Sequence, residues 1–139
     1  MGRKINSILQ SIPPYQPTVA VLVAVLYLTL LPQPLGEEEI HLFEGADKVV
    51  HFIMFGGLTG TFIFDRWRIG RPLNMRQALL VALCSAALGA LVEYLQFATH
   101  LGRTGNDPMD ALANALGSFT AVPVCRMLHW IDIIVKRRS

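Results

Sequence analysis

Charge is what most constrains this chain: it is confined to short segments, and the runs between them carry almost none. Apolar residues dominate from Pro17 to Leu31, Asp47 to Phe64, Ala78 to Ala98 and Pro108 to Val135. The runs are of the order of 15 to 25 residues, and a helix needs about 20 to cross ~30 Å of hydrocarbon at ~1.5 Å per residue. The first two are marginal and need flanking polar residues at the interface or a locally thinned bilayer. A soluble domain of 139 residues could not hide a composition that is 53% hydrophobic and only 16% charged in one core. The expected fold is all-α, an integral membrane four-helix transmembrane bundle over residues 15–135. A short N-terminal amphipathic interfacial helix occupies 1–14 and a basic cytoplasmic tail 136–139.

Local signals set the boundaries. Ile5, Ile8, Leu9 and Ile12 share one helical face beside Arg3 and Lys4, as in a helix lying on a membrane surface, and Pro13-Pro14 ends it. Pro17 suits a first helical turn, while Pro32 and Pro34 close the far end of that span. The run ends in Leu31-Pro32-Gln33-Pro34 rather than small residues, so it reads as a retained span and not a cleaved leader. Gly56 and Gly60 form a G-x-x-x-G pair that offers a close-packing face, a means of homo-oligomer formation. Ala82, Ala86 and Ala90, and likewise Ser85 and Gly89, repeat every four residues with the same implication. Cys84 and Cys125 lie inside apolar runs and read as small buried side chains, not as a disulfide or thiol metal site.

The basic residues orient the spans. With both termini in the cytoplasm, Arg3, Lys4, Arg66, Arg68, Arg71, Arg76, Lys136, Arg137 and Arg138 are all inside, and only Lys48 and Arg103 lie in or beside the opposite loops. Trp67 and Trp130 fall at interfacial positions. The net charge of +2 is spread in a way that offers no stripe for nucleic acid.

This topology brings polar residues from three segments to one level of the outer leaflet. Asp47, Lys48 and His51 open the second span; Glu93 and Gln96 close the third; Arg103, Asp107, Asp110 and Asn114 lead into the fourth. Asp47/His51 and Asp110/Asn114 are spaced i, i+4, and Glu93/Gln96 and Asp107/Asp110 i, i+3, so each pair shares a helix face. Glu93 lies about 7 Å inside the end of its span. A carboxylate in hydrocarbon costs on the order of 2.5–3.5 kcal/mol at mid-bilayer, so it should face the bundle and meet Arg103, Lys48 or His51. The ligand-binding candidates are therefore Asp47, Lys48, His51, Glu93, Gln96, Arg103, Asp107, Asp110 and Asn114, with His51, Glu93 and Asp110 as the acid–base candidates.

Structural roles compete for several of them. Asp107 can cap the fourth helix, Pro108 suits its first position, and Asp110 favours the positive end of its dipole. Asp47 can be an N-cap, Lys48 can reach back to the interface, and Gln96 and Asn114 can stitch helices by hydrogen bonds. Arg126, His129 and Asp132 sit at the inner interface, where water solvates them.

The pattern Asp47-Lys48-x-x-His51-Phe52, Glu93-x-x-Gln96, Arg103 and Asp110-x-x-x-Asn114-x-x-Gly117 resembles the VanZ-like family of bacterial membrane proteins. The resemblance spans roughly Val19 to Val122, with motifs in the family's order and on the expected helix ends. Two positions depart from it: Ala121 stands where the family often has a second glycine, and the loop before Asp110 makes Asp107 the loosest match. The resemblance implies the bacterial cytoplasmic membrane and a cell-envelope role akin to low-level teicoplanin resistance; it supplies no reaction and no cofactor.

Three functions follow. The outer cluster can bind an envelope lipid, a lipid-linked precursor or a glycopeptide-type antibiotic without catalysis. It can instead be an enzyme site in which His51 and the carboxylates act as acid and base on a lipid head group. Third, an oligomer can translocate lipid, which requires a polar path towards the inner leaflet; only small groups such as Thr59, Thr61 and Ser85 occur there. Metal binding is not expected, because no H-E-x-x-H or similar spacing is present.

Overall fold

The computed structural model describes residues 11–31, 45–99 and 108–138, and among these the regular structure is all helix, with short turns at helix ends. Four helices follow one another: α1 (Gln16–Leu30), α2 (Ala46–Arg68), α3 (Met75–Thr99) and α4 (Pro108–Arg138). Residues 1–10 of the amphipathic segment expected over 1–14 lie outside the described residues, as do Glu37, Glu38, Glu39, Glu44, Arg103 and Asp107. By length and composition, α3 with 25 residues and α4 with 31 can each cross a membrane. α1 is apolar but only 15 residues long, and the 23 residues of α2 carry more polar groups.

Capping chemistry moved several ends from where hydropathy put them. α2 runs on past Phe64 to Arg68 because its last carbonyls are satisfied by a glycine turn. Gly70 adopts φ 74°, its N–H bonds Trp67 O at 2.9 Å, and Arg71 N–H bonds Arg66 O at 2.9 Å. α3 starts at Met75 and not Ala78, since Asn74 and Gln77 form a reciprocal box. Gln77 N–H donates to Asn74 Oδ1 at 2.9 Å, and Asn74 N–H to Gln77 Oε1 at 3.1 Å. α4 continues through Pro123 to Arg138.

The bundle is assembled inside out. The buried positions of α3 are Ala78, Ala82, Ser85, Gly89, Val92, Glu93 and Gln96, small or polar with one valine. Leu79, Leu80, Leu83, Leu91, Tyr94 and Phe97 are exposed on the same helix. α4 repeats the arrangement, burying Ala113, Asn114, Gly117, Ser118 and Val122 while exposing Leu112, Leu116, Phe119 and Met127. The buried stripe of α3 advances by alternating steps of four and three. A strict four-residue repeat therefore drifts off it, leaving Ala86 half-buried and Ala90 exposed. Cys84, expected inside, is exposed, and Cys125 is half-buried beside the Gly60 carbonyl.

Small residues let α2, α3 and α4 close on one another, with the α2–α4 contact the most extensive. A methyl group at Gly117 would overlap the Phe52 carbonyl, and one at Gly56 would lie 3.0 Å from Gly117 O. A Cβ on Gly60 would meet Cys125 and Ala121. The Gly56/Gly60 face expected to receive a second copy is thus covered by α4 of the same chain. Glycine is used there because any larger side chain would hold α4 further from α2.

α1 docks against α2 through a group that hydropathy concealed. Asp65, fully buried, accepts the Thr18 N–H at 3.1 Å and the Thr18 hydroxyl at 2.5 Å, satisfying the first turn of α1 from a distant helix. Its other oxygen accepts Arg68 Nη2 at 3.0 Å, and Arg68 also donates to the carbonyls of Ile12 and Pro13. Tyr15, at φ 62°, precedes α1; its ring stacks on Phe62 and its hydroxyl accepts from Arg66.

Candidate functional site

The N-terminal turns of α2 and α4 and the C-terminal turns of α3 meet at one end of the bundle. Gly45 begins α2 at φ 82°, a conformation that suits glycine, and brings Lys48 and His51 onto its inner face. Gly89 lets α4 approach α3 so closely that a Cβ there would lie 2.8 Å from Asn114 Cβ. These two placements put His51, Glu93 and Asn114 together, 5%, 5% and 0% exposed.

His51 Nδ1 lies 3.0 Å from Asn114 Oδ1 and 3.5 Å from Glu93 Oε1. Both neighbours present oxygen acceptors, so a proton carried on Nδ1 is the one they stabilise. Asn114 Nδ2 has no hydrogen-bond partner among the described residues, although the residue is fully buried. On the rim, Lys48 Nζ contacts Asp47 Oδ2 at 3.1 Å and Asp110 Oδ1 at 3.4 Å. Lys48 therefore bridges carboxylates of two helices and does more than reach for water. Its side chain is 34% exposed, against 15% for Asp110 and 54% for Asp47, which grades the site from wet to dry.

The sequence candidates thus separate into groups. Lys48, His51, Glu93, Asp110 and Asn114 converge; Asp47 joins at the exposed edge. Gln96 is buried but donates its amide to the Thr29 carbonyl, so it ties α3 to α1 instead of completing the cluster. Arg103 and Asp107 lie outside the described residues. Glu93 meets His51, one of its three expected partners.

Other buried polar groups lie deeper in the bundle, with Ser118 the one that the sequence did not suggest. Ser118 donates to Asn114 O at 2.8 Å and stands 3.1 Å from Ser85 Oγ, which reaches the Phe55 carbonyl at 3.4 Å. Thr59 is fully buried, with no hydrogen-bond partner for its hydroxyl among the described residues. It sits eight positions after His51, about 12 Å along the helix. Ser85 and Ser118 thus join Asn114 in a hydrogen-bonded chain leading from the cluster into the bundle, while Thr61 bonds the Gly57 carbonyl of its own helix. Ser118 left no signal because it lies in an apolar run, whereas Asp65-x-x-Arg68 was a readable i, i+3 pair masked by its basic surroundings.

Ligand atoms of His51, Glu93 and Asp110 all fall within 4.8 Å of one another. They come from three helices, so no local sequence spacing could announce them. Two shallow clefts, lined among others by Trp67, Cys125, Arg126 and His129, lie towards the opposite end of the bundle and do not involve this cluster. No family model, no curated protein and no solved structure matches the chain.

Proposed function

We propose that the chain is a four-span protein of the bacterial cytoplasmic membrane, both termini inside, whose cluster binds the polar head of an envelope amphiphile. The class of ligand is a membrane lipid, a lipid-linked envelope precursor or a glycopeptide-type antibiotic. One observation carries this reading: buried ionisable groups close together at one end of a bundle whose large apolar side chains point outward. Water-soluble monomers rarely expose so continuous an apolar surface, and charge retained within an apolar bundle is generally kept for a partner or substrate. Lys48 supplies a cation at the rim, Glu93 and Asp110 supply negative charge deeper in, and the Asn114 amide N–H offers one further donor beside them. The resemblance to VanZ-like proteins rests on these same residues and motivates the envelope role.

The His51–Glu93 contact favours one other reading, an enzyme in which the pair moves a proton at a lipid head group. Complementation of a null strain separates the two. Glu93→Gln and His51→Ala, each shown by blot to reach the membrane, should fail to restore wild-type teicoplanin susceptibility. An enzyme predicts complete loss in both, and a binder graded loss. Full complementation by both would make the cluster structural and sink the proposal.

A further inference from the structure

We propose that His51, Glu93 and Asp110, with Asn114 Oδ1 as a fourth donor, form a site for one first-row divalent cation of the zinc or manganese type. The inference deepens the head-group reading and rests on it for its biological use, but not for its test.

Donor spacing is the first argument. With bonds of about 2.0–2.2 Å, neighbouring donors around one ion stand about 2.8–3.6 Å apart. His51 Nδ1 is 3.0 Å from Asn114 Oδ1 and 3.5 Å from Glu93 Oε1, and the Asp110 carboxylate closes the group within 4.8 Å. The ion would take the place of the Nδ1 proton, so ring, amide and carboxylate need not reorganise far. One imidazole nitrogen with three oxygens suits borderline and moderately hard cations and disfavours Cu(I), which seeks sulfur.

Charge is the second. Two carboxylates converge in an apolar bundle, and Lys48 Nζ already stands 3.4 Å from Asp110 Oδ1. The place is one where positive charge is stabilised. The third is the Asn114 Nδ2 donor, fully buried and facing no acceptor among the described residues. Beside a bound ion it can donate to an oxygen held on the metal, either water or the phosphate or carboxylate of a head group. An ion with these protein donors keeps coordination positions open for such an oxygen.

The test uses the full chain in detergent, stripped with EDTA and titrated calorimetrically with ZnCl2, MnCl2 and MgCl2. Elemental analysis after desalting gives the stoichiometry. One ion per chain is expected, bound more tightly than Mg2+. His51→Ala, Glu93→Gln and Asp110→Asn should each weaken it roughly hundredfold or more. Because those residues are buried, helical content and elution volume must match wild type before their loss counts. Lys48→Met avoids that difficulty, its side chain being 34% exposed. Removing the competing ammonium should tighten ion binding about tenfold. Absence of a stoichiometric ion in folded wild type, or unchanged or weaker binding in Lys48→Met, overturns the proposal. No head group enters the titration, so that result leaves the head-group reading to stand or fall by complementation.

Discussion

Two glycines on α2 and α4 differ only in what a methyl group would meet. Gly117 faces the Phe52 carbonyl, while nothing lies within 4 Å of a Cβ at Gly57. Gly117→Ala must push α4 off α2 and should cost about 1–3 kcal/mol in reversible unfolding in mixed micelles. Gly57→Ala should gain up to about 1 kcal/mol from helix propensity in the same assay. Equal effects would show that the close approach does not hold the bundle together. Asn114 is a second residue-scale case, because its carbonyl orients His51 while its amide hydrogen waits for a partner. Asn114→Leu removes both, leaving the His51 proton to Glu93 alone. Unfolding should be easier by about 1–3 kcal/mol, the cost typical of a buried polar group losing its partner.

At the scale of the element, α1 is the helix whose position depends most on polar bonds. It is short, and its buried residues are only Val25 and Thr29. Asp65 fixes its first turn through Thr18, and Gln96 holds its far end through Thr29 O. Asp65→Ala takes the carboxylate from Arg68, which is 6% exposed and keeps only neutral partners such as the Ile12 and Pro13 carbonyls, and leaves the first turn of α1 without its acceptor. Breaking such a buried pair typically costs about 3–5 kcal/mol, so α1 should become the first site of proteolytic nicking in detergent. An unchanged digestion pattern would mean that apolar contact alone docks the helix. Gln96→Leu should loosen the other end of α1 while leaving the His51–Asn114–Glu93 arrangement, and hence complementation, intact.

For the whole molecule, the decisive property is the reversal of inside and outside. Leu80, Leu83 and Tyr94 are exposed while Ser85, Asn114 and Ser118 are buried, the arrangement on which the four-span proposal rests. Cys84 lies on the exposed face and offers a direct test in a Cys125→Ser background. In intact membranes it should resist a hydrophilic maleimide, since a charged reagent does not enter hydrocarbon, and label readily after denaturation in SDS. Rapid labelling in intact membranes would place that face in water and remove the four-span proposal.

The sequence by itself determined the helical class, the rough extent of the four helices, and the polar residues gathered at their ends. These are legible because hydropathy, proline position and i, i+4 spacing act within one segment. It did not reveal that Gln96 serves α1, that Gly56 and Gly60 face α4, or that Asp65 caps a helix from about fifty residues away. It placed His51, Glu93 and Asp110 at one level as acid–base candidates, but not within reach of one another. Those are properties of how helices close on each other, decided by where glycines and small side chains permit backbones to touch. Once α4 settles against Phe52 and Gly89, the burial of Asn114 and its bond to His51 follow from the packing, and the polar site is a consequence of that contact.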